Sequence, residues 1–180
     1  MLPSLHLQLI HTQYYNSPFG ELVLGSFKDE LCICDWRFRK NRASVDKRVL
    51  KFCHASFKEE SSDTIEKAIK QLNEYFNSIR TSFDIPLLLA GSEFQQSVWK
   101  GLLQIEYGKT TSYKKLSTKL DNALAIRAVA TANGANALSI FIPCHRVIGT
   151  NGKMVGYAGG IAVKRKLLQL EGSHAQLTLF

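Results

Sequence analysis

The apolar residues of this chain change their period along its length, and that change restricts the folds open to it. Up to residue 36 they alternate with polar neighbours or run in short stretches: Leu5, Leu7 and Leu9, then Leu22-Val23-Leu24-Gly25, then Leu31-Cys32-Ile33-Cys34-Asp35-Trp36. This is the pattern of strands, and Asn16-Ser17-Pro18-Phe19-Gly20 supplies a turn between the first two. From residue 63 the period lengthens. Ile65, Ala68, Ile69, Leu72, Tyr75 and Phe76 share one face of a helix expected over 63–79, with Asp63 as its cap. Thr81 to Ser92, with Pro86 and Gly91, reads as a connector. Beyond it the chain is mainly helical. Phe94, Val98, Leu102 and Leu103 line one helix, and Ser112 caps another over about 113–120. Asp121-Asn122 makes a turn, and a further short helix over about 125–132 closes at Asn133-Gly134. The apolar run 138–142 is expected as a strand, 147–160 as a glycine-rich loop and 163–170 as the last helix. Strands first and helices afterwards imply an α+β fold, divided into residues 1–88 and 89–180.

Composition narrows the function classes. With 45% hydrophobic and 21% charged residues the chain can bury a core. Its net charge of +8 is unevenly placed: residues 1–89 hold 12 Lys/Arg against 11 Asp/Glu, and residues 90–180 hold 11 against 4. A basic second half suits a polyanion such as nucleic acid or an anionic membrane surface, and two short helices joined by a tight turn within it suggest a helix-turn-helix. The six-residue run Arg37 to Arg42 is expected to be a solvated loop. Neither a secretory leader nor a membrane span is visible, so a reducing, cytoplasmic setting (nuclear in a eukaryote) is expected. Four cysteines, Cys32, Cys34, Cys53 and Cys144, do not make a disulfide framework. Cys32, Cys34, Cys53 and His54 match no standard zinc spacing, so no metal and no other cofactor is expected.

The chemistry points to Ile142-Pro143-Cys144-His145-Arg146-Val147. A cysteine reacts as its thiolate, and a neighbouring base is the usual means of producing one at neutral pH. Adjacent side chains on an extended strand point to opposite faces, so His145 reaches Cys144 only around a bend or through a water. Pro143 favours a bend, because it fixes its own φ and restricts Ile142.

These residues resemble the O6-alkylguanine-DNA alkyltransferases, in a form similar to the constitutive bacterial type. The resemblance is carried by residues 142–147, by Gly156-Tyr157-Ala158-Gly159-Gly160 and by Leu167-Leu168-Gln169-Leu170-Glu171-Gly172, with Phe94 to Lys100, Gly108 to Tyr113 and Arg127-Ala128-Val129 in support. It implies a small ribonuclease-H-like N-terminal domain and a winged-helix-like C-terminal domain. It also implies irreversible transfer of an alkyl group from O6 of guanine in double-stranded DNA to Cys144, once per molecule, by a monomer. O4-alkylthymine is left open as a second substrate.

By the same resemblance His145 acts through a water as the base, Glu171 orients and charges His145, and Asn136 braces the turn around the thiol. Tyr113 meets N3 of the extruded base. Backbone groups of Cys144, Val147 and Ala158 hold the guanine, Tyr157 lines the pocket and Lys164 lies near it. Arg127 fills the space left in the duplex, and Ala128, Ala130 and Thr131 belong to the helix at the minor groove. Three positions depart from the family pattern: Ala137 where proline is common, Ala130 where glycine is common, and Ala158 where some relatives have serine. The Ala137 change implies a looser turn. Two other classes share parts of the pattern. A helix-turn-helix regulator or damage sensor would use Cys144 only as core, and a thiol hydrolase would turn over and need no basic half.

Overall fold

The computed structural model of the chain describes residues 8–120 and 124–172, so Leu5, Leu7 and the Asp121-Asn122 turn lie outside the described residues. The N-terminal half forms a four-stranded sheet of order β3-β2-β1-β4, with β1 Gln8–Ser17, β2 Gly20–Phe27, β3 Glu30–Trp36 and β4 Ala55–Glu59. The first three strands pair antiparallel, and β4 runs parallel to β1. The second hairpin turns through Lys28 and Asp29, both left-handed at φ 48° and 64°. That geometry matches the twist of the paired strands. A parallel neighbour needs a crossover, which α1, Arg42–Cys53, provides.

Neither α1 nor β4 shows in the sequence pattern. Helix α1 buries only Val45, Val49 and Cys53 among charged residues, and β4 is largely exposed. In β1 the buried residue is Ile10, while Leu9 is exposed. The inward row is therefore set one residue away from the alternation expected through Leu9.

Helix α2, Asp63–Phe76, starts where expected, but its cap is one residue earlier: the Ser62 side chain accepts from the Ile65 N–H. Asp63 becomes the first helical residue, where a carboxylate favours the helix dipole. Ile65, Ala68, Leu72 and Tyr75 are buried against Leu22, Leu24 and Leu31. The helix ends at Phe76 rather than at 79, with Ser78 left-handed at φ 58°.

The outer edge of β3 is covered rather than left open, as an exposed edge invites association. Leu31 N–H donates to Pro86 O at 2.9 Å, Leu88 N–H to Leu31 O at 2.9 Å, and Cys34 N–H to Ala137 O at 2.8 Å. The connector and the segment before Cys144 thus both lie along this strand. A register shift opposite Gly25 and Ser26 leaves Cys32 as an extra residue in β3, which breaks the strand's alternation and puts Cys32 in the core shared with Cys53 and α1, while Cys34 lies in the main core. The N-terminal cysteines therefore do not converge on one ion, and among the described residues no His/Cys/Asp/Glu group is arranged to hold a metal.

The C-terminal half consists of α3 Glu93–Leu102, α4 Tyr113–Lys119, α5 Ile126–Gly134 and α6 Ile161–Leu170, with a two-stranded parallel ribbon of β5 Thr111–Ser112 and β6 Val147–Ile148. Ser92 and Gln95 form a reciprocal capping box on α3, and the Ser112 hydroxyl caps α4. Val98, Trp99, Leu102, Leu116, Val129 and Ala132 join α3, α4 and α5 in the main core. Leu103 stays exposed. Helix α5 includes Gly134, so Asn133-Gly134 does not close it. The last helix opens at Ile161, two residues before its expected start.

The expected strand over 138–142 is not a strand. It is a tight loop in which Ile142 N–H donates to Leu138 O at 2.8 Å and Ile140 is left-handed at φ 75°. Apolar content alone cannot distinguish a buried loop from a buried strand. A β-branched residue in that region carries a strain of about 1–3 kcal/mol, and burial of Ile140, Phe141 and Ile142 in the core offsets it. Among the described residues no helix is long and apolar enough to cross a membrane.

Candidate active site

Cys144 opens a single 3-10 turn, Cys144–Arg146, between the strained loop and β6. Pro143 precedes the turn, so the chain bends at the thiol. The bend is braced by Asn136, which is buried. Its Nδ2 donates to Ile142 O at 3.0 Å and to Cys144 Sγ at 3.2 Å, and its Oδ1 accepts from Leu138 N–H at 2.9 Å. With the Ala137 carbonyl bound to β3, the loop is held at 137 by a backbone hydrogen bond in the absence of a proline. Burial pushes the Cys144 thiol up from its ordinary value; the Asn136 N–H and the Lys164 charge pull it back in part.

His145 is fully buried, and its Nε2 lies 2.7 Å from Glu171 Oε1 at the C-terminal end of α6. Burial alone would raise the Glu171 carboxyl, but the hydrogen bonds and charges of His145 and Arg146 outweigh it and hold it at about 2. An ionised carboxylate only accepts, so the proton between them sits on Nε2 and Nδ1 carries the basic lone pair. Nδ1 is buried with no hydrogen-bond partner among the described residues. Burial pushes the imidazole down, against the pull of Glu171. Cys144 and His145 therefore rest as thiol and neutral imidazole. Glu171 also accepts from Arg146 Nε at 2.8 Å, Arg146 Nη2 at 3.0 Å, Tyr75 Oη at 2.7 Å and Gly108 N–H at 3.3 Å.

A cavity of about 220 Å³ opens above the thiol, lined by Cys144, Tyr113, Ala130, Tyr157 and Ala158, with Arg39, Lys40 and Asn41 of the N-terminal half at its rim. Burial and the nearby Cys144 raise the Tyr113 phenol to about 12, so its proton stays on at neutral pH. Tyr157 Oη accepts from Trp36 Nε1 at 3.0 Å. Val147 and Lys164 lie beneath the cavity rather than on its wall. Lys164 Nζ donates to Val147 O at 2.6 Å, Val155 O at 2.7 Å and Gly156 O at 3.3 Å, which ties α6 to the glycine-rich loop. Burial lowers this ammonium to about 8, leaving it mostly charged at pH 7. Arg127, Ala128 and Thr131 lie on the exposed face of α5 beyond the cavity.

Sequence reasoning missed three contributors. Arg39 was expected in a solvated run, yet its guanidinium binds Asp35 Oδ2 at 2.6 Å, Asn136 O at 2.9 Å and Gly134 O at 2.5 Å, because buried Asp35 needs a counter-charge. Arg146, inside the most informative motif, pins Glu171. Tyr75 looked like one more apolar position of α2. Only Arg146 gave a readable signal, being a charge among apolar neighbours.

Residues 93–173 match the family described as "6-O-methylguanine DNA methyltransferase, DNA binding domain", and residues 10–89 match its ribonuclease-like domain. Over 177 residues the chain is 41% identical to the methylated-DNA–protein-cysteine methyltransferase of Mycobacterium tuberculosis, covering 96% of this chain and 99% of that one. The chain belongs to the 6-O-methylguanine DNA methyltransferase family. A second relative of the same name, from Methanosarcina acetivorans, is 38% identical over 159 residues, covering 88% of this chain and 96% of the other. Among solved structures, Mycobacterium tuberculosis OGT in complex with DNA superposes with a TM-score of 0.77 at 40% identity, covering 91% and 93% of the two chains. The mixed fold, a small sheet domain followed by a helical one, is the family's fold.

Proposed function

We propose that Cys144 is the residue that takes the alkyl group in the family's reaction, the repair of O6-alkylguanine in DNA by transfer to a protein cysteine. One observation carries this reading: a buried thiol at the floor of a cavity, held by Asn136 and backed by a neutral imidazole whose other nitrogen is fixed by an ionised carboxylate. His145 Nδ1 accepts the thiol proton through one water. The thiolate then attacks the alkyl carbon, forming an S–C bond. The C–O6 bond breaks with its electron pair left on the base, which takes up a proton to become guanine. Burial opposes the thiolate–imidazolium pair; the Asn136 N–H, the Lys164 charge and Glu171 favour it. A thioether does not revert, so each molecule acts once.

The cavity takes one base, so the damaged nucleotide leaves the duplex, at a cost of a few kcal/mol. Tyr113 donates to the base edge, and backbone groups of Cys144 and Ala158 hold it, while Val147, beneath the cavity, supports them through the Lys164 bond rather than touching the base. Arg127 enters the vacated space, with Ala128, Ala130 and Thr131 against the minor groove. The basic second half binds the phosphates of double-stranded DNA without sequence preference. The division of labour follows a boundary near residue 88, and the protein acts as a monomer in the reducing cytoplasm. The reading is tested by following O6-methylguanine in a duplex oligonucleotide. The intact protein removes one lesion per molecule and then stops, and Cys144→Ser binds the duplex but removes none. Lesion loss with Cys144→Ser, or repeated turnover, contradicts it.

A further inference from the structure

Tyr75 belongs to α2 of the N-terminal domain, yet its hydroxyl donates to Glu171 Oε1 at 2.7 Å, the same oxygen that faces His145 Nε2 at 2.7 Å. The phenol is fully buried and boxed by rings, with Phe76, Phe83 and Tyr107 at centroid distances of 5.4, 5.6 and 6.2 Å. A tyrosine placed only for packing would gain nothing from a hydroxyl here, and a buried hydroxyl without a partner is costly. Among the described residues, only Tyr75 of the donors to Oε1 comes from the sheet domain. Burial and the Glu171 charge hold the phenol proton on throughout the working pH range, so Tyr75 acts as a permanent donor.

We propose that Tyr75 is a positioning residue through which the N-terminal domain sets the orientation and basicity of His145, acting on the carboxylate they share. The proposal rests on the alkyl-transfer reading above. Three donors, Tyr75 Oη, His145 Nε2 and Arg146 Nη2, share this one oxygen, so each draws on the same negative charge and weakens the others' hold. With Tyr75 present, Oε1 carries less charge toward His145, and the imidazolium is held less tightly. The groups that face this network are Glu171 at the end of α6, Arg146 and Cys144 in the 3-10 turn, Lys164 on α6, Tyr157 on the glycine-rich loop and Tyr107 before β5. Of these only Cys144 changes charge as His145 takes up its proton; the others keep theirs, and none is altered by a substitution at Tyr75, so a change at Tyr75 reads out on the Cys144–His145 pair.

The test is the pH dependence of the single-turnover transfer rate, measured with the full chain and an O6-methylguanine duplex. Tyr75→Phe keeps the ring and removes the donor. Its acid limb is expected to move up by about half a pH unit, lowering the rate on the limb about threefold. Replacing Tyr75 by 3-fluorotyrosine makes a stronger donor and is expected to move the limb the other way. Opposite shifts exclude a general loss of packing, and the fluorinated protein keeps the test alive if Tyr75→Phe does not fold. Ile65→Val, a buried change on the same helix, is expected to lower the melting temperature and leave the limb in place. An unmoved limb in both Tyr75 proteins, or an equal shift with Ile65→Val, overturns the proposal while leaving the transfer reading intact. Absence of transfer by the unaltered protein is the separate failure of that reading.

Discussion

Replacing Glu171 by glutamine keeps the shape of the side chain and removes its charge. The side chain is fully buried and its carboxylate accepts from His145, Arg146, Tyr75 and the Gly108 N–H. A carboxyl that ordinarily titrates at 4.5 and is held at about 2 is bound to its surroundings in the charged form by about 3 kcal/mol. Losing one partner of a buried ion pair independently suggests about 3–5 kcal/mol, since Arg146 keeps its charge and the new amide turns an N–H toward other donors. Domains are stable by roughly 5–15 kcal/mol, so Glu171→Gln folds but is markedly weakened.

Because the folded carboxyl titrates below the unfolded one, its contribution is complete above pH 4.5 and is lost as pH falls through about 2. Urea unfolding followed by tryptophan fluorescence should give a difference of about 3 kcal/mol at pH 7 and about half that at pH 3. A difference below about 1 kcal/mol at pH 7, or one that does not change with pH, refutes the reasoning.

Other outcomes follow from the same geometry. Burial pushes the His145 imidazole below its ordinary 6.5, so the acid limb of the transfer rate should be centred below pH 6.5; a limb centred above 6.5 contradicts this. Lys164→Met removes a charge that favours the Cys144 thiolate and three bonds to the glycine-rich loop, so the pH-7 transfer rate should drop about tenfold or more. Unchanged kinetics would show that the ammonium is only a packing element. A Cβ on Gly159 would stand 2.7 Å from the Trp36 indole. Gly159→Ala should therefore displace the loop under Tyr157, with changed Trp36 fluorescence and about tenfold weaker binding of O6-alkylguanine base; unaltered binding would show that the loop tolerates the shift.

The parts of the fold legible in the sequence were those where one face alone is buried. The period of Ile65, Leu72 and Tyr75 marks α2, and Ser112 marks the start of α4. Helix α1 escaped because three buried residues in twelve leave almost no stripe. The 138–142 loop escaped because its burial is complete, so its apolar run is the same for strand and coil. At the site, Cys144, His145 and Glu171 stood out through a motif resemblance, which names residues but not their neighbours. Arg39 and Tyr75 lie 97 and 96 residues from the partners they hold, Asn136 and Glu171. No local pattern encodes a contact across that separation. Their roles follow from a physical requirement met only in three dimensions, that buried Asp35 and Glu171 each need donors.

The most direct test of the account is intact-protein and peptide mass spectrometry after mixing the protein with a duplex that carries one O6-methylguanine. The account predicts a gain of one methyl group per molecule, saturating at one and mapping to the peptide that contains Cys144. A gain on Cys32, Cys34 or Cys53, or tight binding to the duplex with no gain at all, would contradict it.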